Sequence, residues 1–314
     1  MRFDALAAEI EQAGAGRVER DAPSAPLTTY RCGGPVAVLV RVDREAQLDR
    51  LAGVLAAHRG LPVLVVGRGS NLLIADAGFR GAAVVLEGEF EEITVDERAA
   101  RVVAGGSGAL PVLARRSAAA GVGGLEFYVG IPGSVGGAVR MNAGGHGAQT
   151  KDVLVSARVL DLGDGLARDL PVGDLGLAYR SSSLGSETVV LRAEFAGHID
   201  APAECERRID EIVRWRREHQ PGGQNAGSVF TNPPGDAAGR IIDECGLKGL
   251  RVGGVAVSEK HANFFVAEPG ARADDVRALI ELVQARVVAA TGVRLVPELH
   301  LIGFTGITEE EVGA

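Results

Sequence analysis

The segment GIPGSVGGAVRMNAGG, residues 130–145, sets Gly130, Gly133, Gly136, Gly137, Gly144 and Gly145 beside Pro132, Ser134 and Asn142. Glycine weakens helix and strand interiors alike, so this stretch suits a backbone that another group must approach closely. A second stretch, VGRGSN at 66–71, ends the apolar run LPVLVV in the same manner. Clustered backbone N–H groups flanked by small side chains and hydroxyls either make plain turns or cradle an anion such as a diphosphate. One such loop alone reads as a turn. Two in one chain, each closing an apolar run, point toward a dinucleotide site.

The usual signatures of such a site are missing. There is no GxGxxG after the first strand and no GK[ST], so neither a Rossmann site nor a P-loop is indicated. No HExxH or paired-cysteine motif suggests a metal, and none is expected. The formal net charge of -8 and the 4% aromatic content disfavour nucleic acid, which needs a positive footprint and stacking rings. Cys32, Cys205 and Cys245 are odd in number and far apart, which fits reduced thiols in a cytoplasm. The start MRFDALAAEIEQ is acidic and amphipathic, so no signal peptide is expected, and no run is long enough to cross a membrane.

Periodicity divides the 314 residues into three regions of mixed α+β character. In the first, VAVLVR (36–41) predicts a strand, DREAQLDRLAGVLAAHRG (43–60) a helix, and LPVLVVGRGSNLLI (61–74) a strand broken at its glycines. The second has strands at 91–96, 100–106, 152–162 and 187–195, with a helix near 109–121 and the glycine stretch leading from that helix to the later strands. The third has helices at 205–219, 237–246 and 273–292, a Gly/Pro-rich loop at 220–236, and a strand over 293–304. The expected domains are 1–88, 89–198 and 199–304, with 305–314 packing on the first.

The blocks VGRGSNLL, GLEFYVGIPGSVGGAVRMNAG, YRSSSL, NAGSVFTNPPG, GLKGLRVGGVAVSEKHANFFV and VPELHLIG, in this order from about 26 to 304, closely resemble the UDP-N-acetylenolpyruvoylglucosamine reductase family. The resemblance implies a fold of vanillyl-alcohol-oxidase type. Two FAD-binding subdomains are followed by an α+β domain for the substrate. It implies an NADPH-dependent flavoenzyme of peptidoglycan synthesis that converts the enolpyruvyl ether of UDP-N-acetylglucosamine to UDP-N-acetylmuramate. Hydride comes from reduced FAD, and the neighbouring carbon takes a proton. Gly67, Arg68, Gly69, Ser70 and Asn71, with Gly130, Ile131, Pro132, Gly133, Ser134, Gly136, Gly137 and Ala138, would lie at the flavin.

The same resemblance assigns three catalytic positions. Ser228 in NAGSVF would be the proton donor, although a serine in a Gly-rich loop otherwise reads as a turn residue. Arg180 in AYRSSSL would hold the substrate carboxylate with its planar fork. Glu298 in VPELHLIG would help stabilise the enolate, where an alternating edge strand beside Pro297 is the plainer reading. Arg214, Arg217, Lys248, Arg251 and Lys260 are either diphosphate contacts or solvated charges. His261 and Asn263 read as structural. The chain runs from YRSSSL directly toward the third region, like the family type without a tyrosine loop, so Tyr179 is not a lid tyrosine. Gly145-His146 replaces the family's frequent Ala-Tyr, and Thr231 a frequent Lys or Arg. A monomer is expected. An oxidase or reductase paralogue on the same FAD scaffold, and a non-catalytic nucleotide binder, are the other readings; the joint presence of Arg180, Ser228 and Glu298 speaks against the binder.

Overall fold

A computed structural model describes residues 3–304; the predicted packing of 305–314 lies outside them. The chain forms two compact units. The first comprises the residues up to Ala22, Ala37–Arg68 and Gly81–Arg216; the second comprises Pro23–Val36, Gly69–Arg80 and the chain from Arg217 on.

The first unit holds two sheets. In one, the strands run in the order Arg17–Pro23, Pro35–Val42, Phe79–Leu86 and Val63–Val66, the last two parallel. The other is antiparallel, in the order Ala167–Pro171, Leu154–Asp161, Thr188–Ala196, Arg101–Gly105 and Ile93–Asp96. The helix Glu45–Ala56 buries Leu48, Leu51, Ala52 and Leu55, the i, i+3, i+4, i+7 stripe its sequence predicts. That stripe joins Val38, Val40, Ala82 and Val84 in one core, which also takes Leu160, Val189 and Leu191 from the antiparallel sheet and Leu162 from the residue after its second strand. The segments on either side of residue 88 therefore share apolar packing. A second core gathers Leu110, Leu113, Tyr128, Val135, Val139, Val159 and Phe195.

The second unit has its own core. The helix Ala273–Thr291 buries Val276, Leu279, Ile280, Val283 and Val287; each contributes about 1.5–3 kcal/mol by leaving water. Gly292, in the left-handed region at φ 75°, ends this helix. The helix shares its core with the antiparallel strands Arg251–Val252, Val255–Val257 and Phe265–Ala267. Tyr30, Cys32 and Leu73, from segments predicted in the 1–88 domain, are buried in this same core. A parallel pair, Leu72–Ile74 with His300–Ile302, completes the unit.

Several elements depart from expectation. The glycine stretch is not only a connector: a 3₁₀ turn at Glu126–Gly130 and a helix at Val135–Arg140 occupy it, because Ser134 caps the latter through its Oγ, which accepts from Gly137 N at 3.2 Å. The strand expected from 152 begins at Leu154, since a helical turn with a capping box fills Thr150–Val153. The strand expected over 293–304 is confined to His300–Ile302, Pro297 lacking the N–H a continuous ladder needs. The strands Arg17–Pro23 and Phe79–Leu86 were not anticipated.

Candidate functional site

The first unit brings the two glycine loops together. The parallel strand Val63–Val66 delivers Gly67 to Ser134, so that a methyl on Gly67 would overlap Ser134 Oγ. Backbone bonds from Val135 N to Gly108 O (2.9 Å), Gly136 N to Gly106 O (2.7 Å) and Leu110 N to Gly133 O (3.1 Å) hold the stretch against residues 106–110. Most of its amides are thus occupied internally, contrary to a nest with every N–H on offer. Among the described residues, the N–H groups of Gly67, Arg68, Gly133 and Ser134 make no hydrogen bond, and the buried Ser107 Oγ has no partner.

The second unit holds the rest of the first loop. Gly69 sits at φ 60° with its α-carbon against the Leu27 carbonyl, which a side chain would strike. Its carbonyl accepts from Thr29 N at 3.2 Å, while the Oγ atoms of Ser24 and Thr28 are buried without partners among the described residues. Asn71, expected at the flavin, also ties this loop to the chain's C-terminal segment. Its Nδ2 donates to the Glu298 carbonyl at 3.0 Å, and its own carbonyl accepts from His300 N at 3.1 Å.

The segments that carry Ser228 and Glu298 pair in this second unit. Ser228 bridges to Phe264, and Phe230 to Pro297; Glu298 N donates to Val229 O at 2.8 Å and Thr231 N to Val296 O at 2.9 Å. Residues 228–231 are thus an extended segment flanked on one edge by 263–264 and on the other by 296–298. The 98%-buried Asn263 fixes it: Phe230 N donates to Asn263 Oδ1 at 3.0 Å, and Asn263 Nδ2 donates to Phe230 O at 2.8 Å. The side chains of Ser228 and Glu298 are half-buried.

Arg180 belongs to the first unit. It sits at φ 56° in a two-residue turn closed by Ala178 N to Ser181 O (3.1 Å) and Ser181 N to Ala178 O (3.3 Å). Its Nη1 donates to Gly144 O at 3.3 Å, and its guanidinium carbon lies 5.4 Å from the centre of the Tyr179 ring.

Sequence reasoning missed Arg216. Its half-buried guanidinium lies across Gly130, where a side chain would crowd its Cδ, and among the described residues it has no hydrogen-bond or ion-pair partner. Burial depresses its pKa below the ordinary arginine value. A cation held so lacks a counter-anion. Burial, with Arg216 beside it, also lowers the pKa of His146, whose ring stands edge-on to Trp215 at 5.1 Å. One arginine among five in RRIDEIVRWRRE carries no mark of this in the sequence. Of the basic residues read as either diphosphate contacts or solvated charges, Lys248 pairs with Asp243 at 2.6 Å, Arg251 pairs with Glu268 at 2.8 Å, and Lys260 Nζ donates to Arg217 O.

Comparison with known proteins settles the family. Residues 36–170 match the model described as "FAD binding domain", and residues 219–302 the one described as "UDP-N-acetylenolpyruvoylglucosamine reductase, C-terminal domain". UDP-N-acetylenolpyruvoylglucosamine reductase 2 of Symbiobacterium thermophilum is 44% identical over 290 residues, covering 92% of this chain and 93% of the relative. The chain belongs to the UDP-N-acetylenolpyruvoylglucosamine reductase family. The reductase of Heliobacterium modesticaldum is 42% identical over 296 residues, covering 93% of this chain and 92% of its own. The crystal structure of the reductase from Thermus caldophilus superposes with a TM-score of 0.79 at 38% identity, covering 91% of this chain and 99% of its own.

This reductase family is FAD-dependent, and the chain carries the FAD-binding domain of its members. The geometry fits such a group. Gly67 packs without a side chain against the buried Ser134, the amides of Gly67, Arg68, Gly133 and Ser134 are unoccupied among the described residues, and Ser107 offers an orphaned hydroxyl. Among the described residues no cluster of His, Cys, Asp or Glu is placed to hold a metal, and no helix is long and apolar enough to cross a membrane.

Proposed function

We propose that this chain reduces the enolpyruvyl ether of UDP-N-acetylglucosamine to UDP-N-acetylmuramate with NADPH as donor, acting as a cytoplasmic monomer. FAD, when bound, would supply the hydride-transfer chemistry that links NADPH to the methylene carbon of the ether. The chain's own residues do the rest. Arg180 presents two parallel N–H donors to the substrate carboxylate and so favours the negative charge that develops there. The Ser228 hydroxyl gives its proton to the carbon beside that carboxylate, which requires a basic carbon next to it and little competing water. Glu298, tied to the Ser228 segment through Val229 O, shares the enolate's stabilisation. Gly67, Arg68, Gly133 and Ser134 offer their amides to the FAD diphosphate, and Gly69, Ser70, Asn71, Gly130, Ile131, Pro132, Gly136, Gly137 and Ala138 complete the flavin contacts. Arg216 supplies positive charge to a phosphate.

The observation that carries this reading is the pairing of the Ser228 and Glu298 segments through Val229 O, within a chain matched over nine-tenths of its length by reductases of this name. The test is turnover under argon with NADPH and the enolpyruvyl sugar nucleotide, the product weighed by mass spectrometry. A gain of two hydrogen atoms is the expected result. NADPH consumption that needs air and leaves the sugar nucleotide unchanged would support the oxidase paralogue instead.

A further inference from the structure

The turn that carries Arg180 does not hold itself. A two-residue turn with its second central residue at positive φ favours glycine or asparagine there, and an arginine at φ 56° is strained. Something outside the turn must oppose its relaxation.

That something is the carboxamide of Asn142, which is 99% buried. Its Nδ2 donates one hydrogen to Ala178 O at 2.9 Å and the other to Gln149 Oε1 at 2.9 Å, while its Oδ1 accepts from Lys151 N at 2.9 Å. Both donors are used, in a site with little water to replace them. Ala178 is the residue that closes the turn on Ser181. From the same loop, Gly144 O accepts from the Arg180 guanidinium itself. Residues 142–149 therefore grip both the backbone base of the turn and the tip of its side chain. Arg140 fixes the far side, donating to Leu184 O at 2.9 Å and to Gly185 O at 2.5 Å. Asn142 is itself at φ 41°, a conformation asparagine tolerates better than most residues.

We infer that Asn142 is a positioning residue for Arg180, acting through Ala178 O without touching the substrate. The inference rests on the reading that Arg180 holds the substrate carboxylate. A cation on a strained turn has many rotamers, and the fork must face the carboxylate in one of them. The Asn142 carboxamide selects the turn geometry in which it does.

Asn142→Gly is the cleanest probe, because glycine accepts φ 41° freely and only the carboxamide is lost. Asn142→Asp is its companion: it keeps the acceptor for Lys151 N but turns an anion toward Ala178 O. Three readouts on the FAD-loaded protein are needed: flavin reduction by NADPH, reoxidation by the enolpyruvyl sugar nucleotide, and calorimetric Kd of that sugar nucleotide for the oxidised protein. Reoxidation should slow about tenfold to a hundredfold, as expected for a misplaced binding group, and Kd should rise, with reduction by NADPH unchanged. In an Arg180→Ala background the added loss from Asn142→Gly should vanish, since coupled residues are not additive. FAD content and melting temperature show whether each variant folds.

If Arg180→Ala is slow but both Asn142 variants reoxidise and bind normally, the inference is wrong and the reading of Arg180 stands. The inference is equally wrong if the Asn142→Gly loss persists in full without Arg180. A normal Arg180→Ala protein would remove the reading of Arg180, and the inference with it.

Discussion

The two units present their functional side chains by opposite means. Ser228 and Glu298 ride on extended segments whose backbones pair with each other and with residues 263–264, so main-chain geometry fixes them. Arg180 rides on a strained turn that a side chain from another loop holds. Each arrangement relies on one buried asparagine, but Asn263 clamps a segment by both its N–H and its carbonyl, whereas Asn142 spreads three bonds over three partners. In the proposed roles, Ser228 as proton donor needs a fixed place, which pairing supplies. Arg180, as the proposed carboxylate binder, needs a fixed direction, which a clamped turn supplies.

The comparison is open to breakage at several points. Ser228→Ala should give the largest effect: reoxidation of reduced flavin by the substrate slows by about 10²–10⁴-fold, the range for losing a general acid, with reduction by NADPH untouched. Equal loss in both half-reactions, followed by stopped-flow absorbance, would contradict the assignment. Asn263→Ala should be a stability variant. It leaves Phe230 N and O unpaired in a dry interior and costs about 2–5 kcal/mol in urea unfolding. An unfolding midpoint near that of the parent would show that backbone pairing alone holds the Ser228 segment. Arg180→Lys should raise the Kd of the substrate about tenfold or more if its carboxylate is gripped by two parallel donors. A near-normal Kd would mean that a point charge suffices, and the turn's exact direction would matter less.

The smallest expected effect concerns acid stability of the first unit. Burial raises the pKa of Glu126, but its backbone hydrogen bonds, Gly124 N among them, and Arg208 at 2.7 Å outweigh that, and the net shift is downward. A carboxylate with a depressed folded pKa stabilises the native state above its unfolded pKa, about 4.3, and loses that contribution as pH falls through the folded value. Glu126→Gln should therefore be less stable than the parent near neutrality, with the gap closing below about pH 4. A gap that stays constant with pH in thermal melts would assign the effect to packing alone.

Much of this was legible in the sequence, and unevenly so. The helices Glu45–Ala56 and Ala273–Thr291 were plain because one apolar stripe specifies each, and Gly292 ends the second, whereas the first ends at Ala56, ahead of the Gly60 stop its sequence suggested. The proposed site residues rest on motif order alone, since a serine in NAGSVF or an arginine in AYRSSS carries no periodicity. The helix Val135–Arg140 was hidden by its glycines and revealed by the Ser134 cap. The strand Phe79–Leu86 escaped because FRGAAVVL mixes glycine and alanine with valine, and it forms through parallel pairing with Val63–Val66. The contacts of Asn142 and Arg216 escaped for the same reason: Ala178 O and the Gly130 backbone lie 36 and 86 residues away from them. No local pattern encodes such a distance.

The most direct test of the whole account is an anaerobic two-step spectrum of the FAD-loaded protein. One equivalent of NADPH should bleach the yellow flavin, and the enolpyruvyl sugar nucleotide should then restore the colour without oxygen. A flavin that stays bleached until air is admitted would contradict the account.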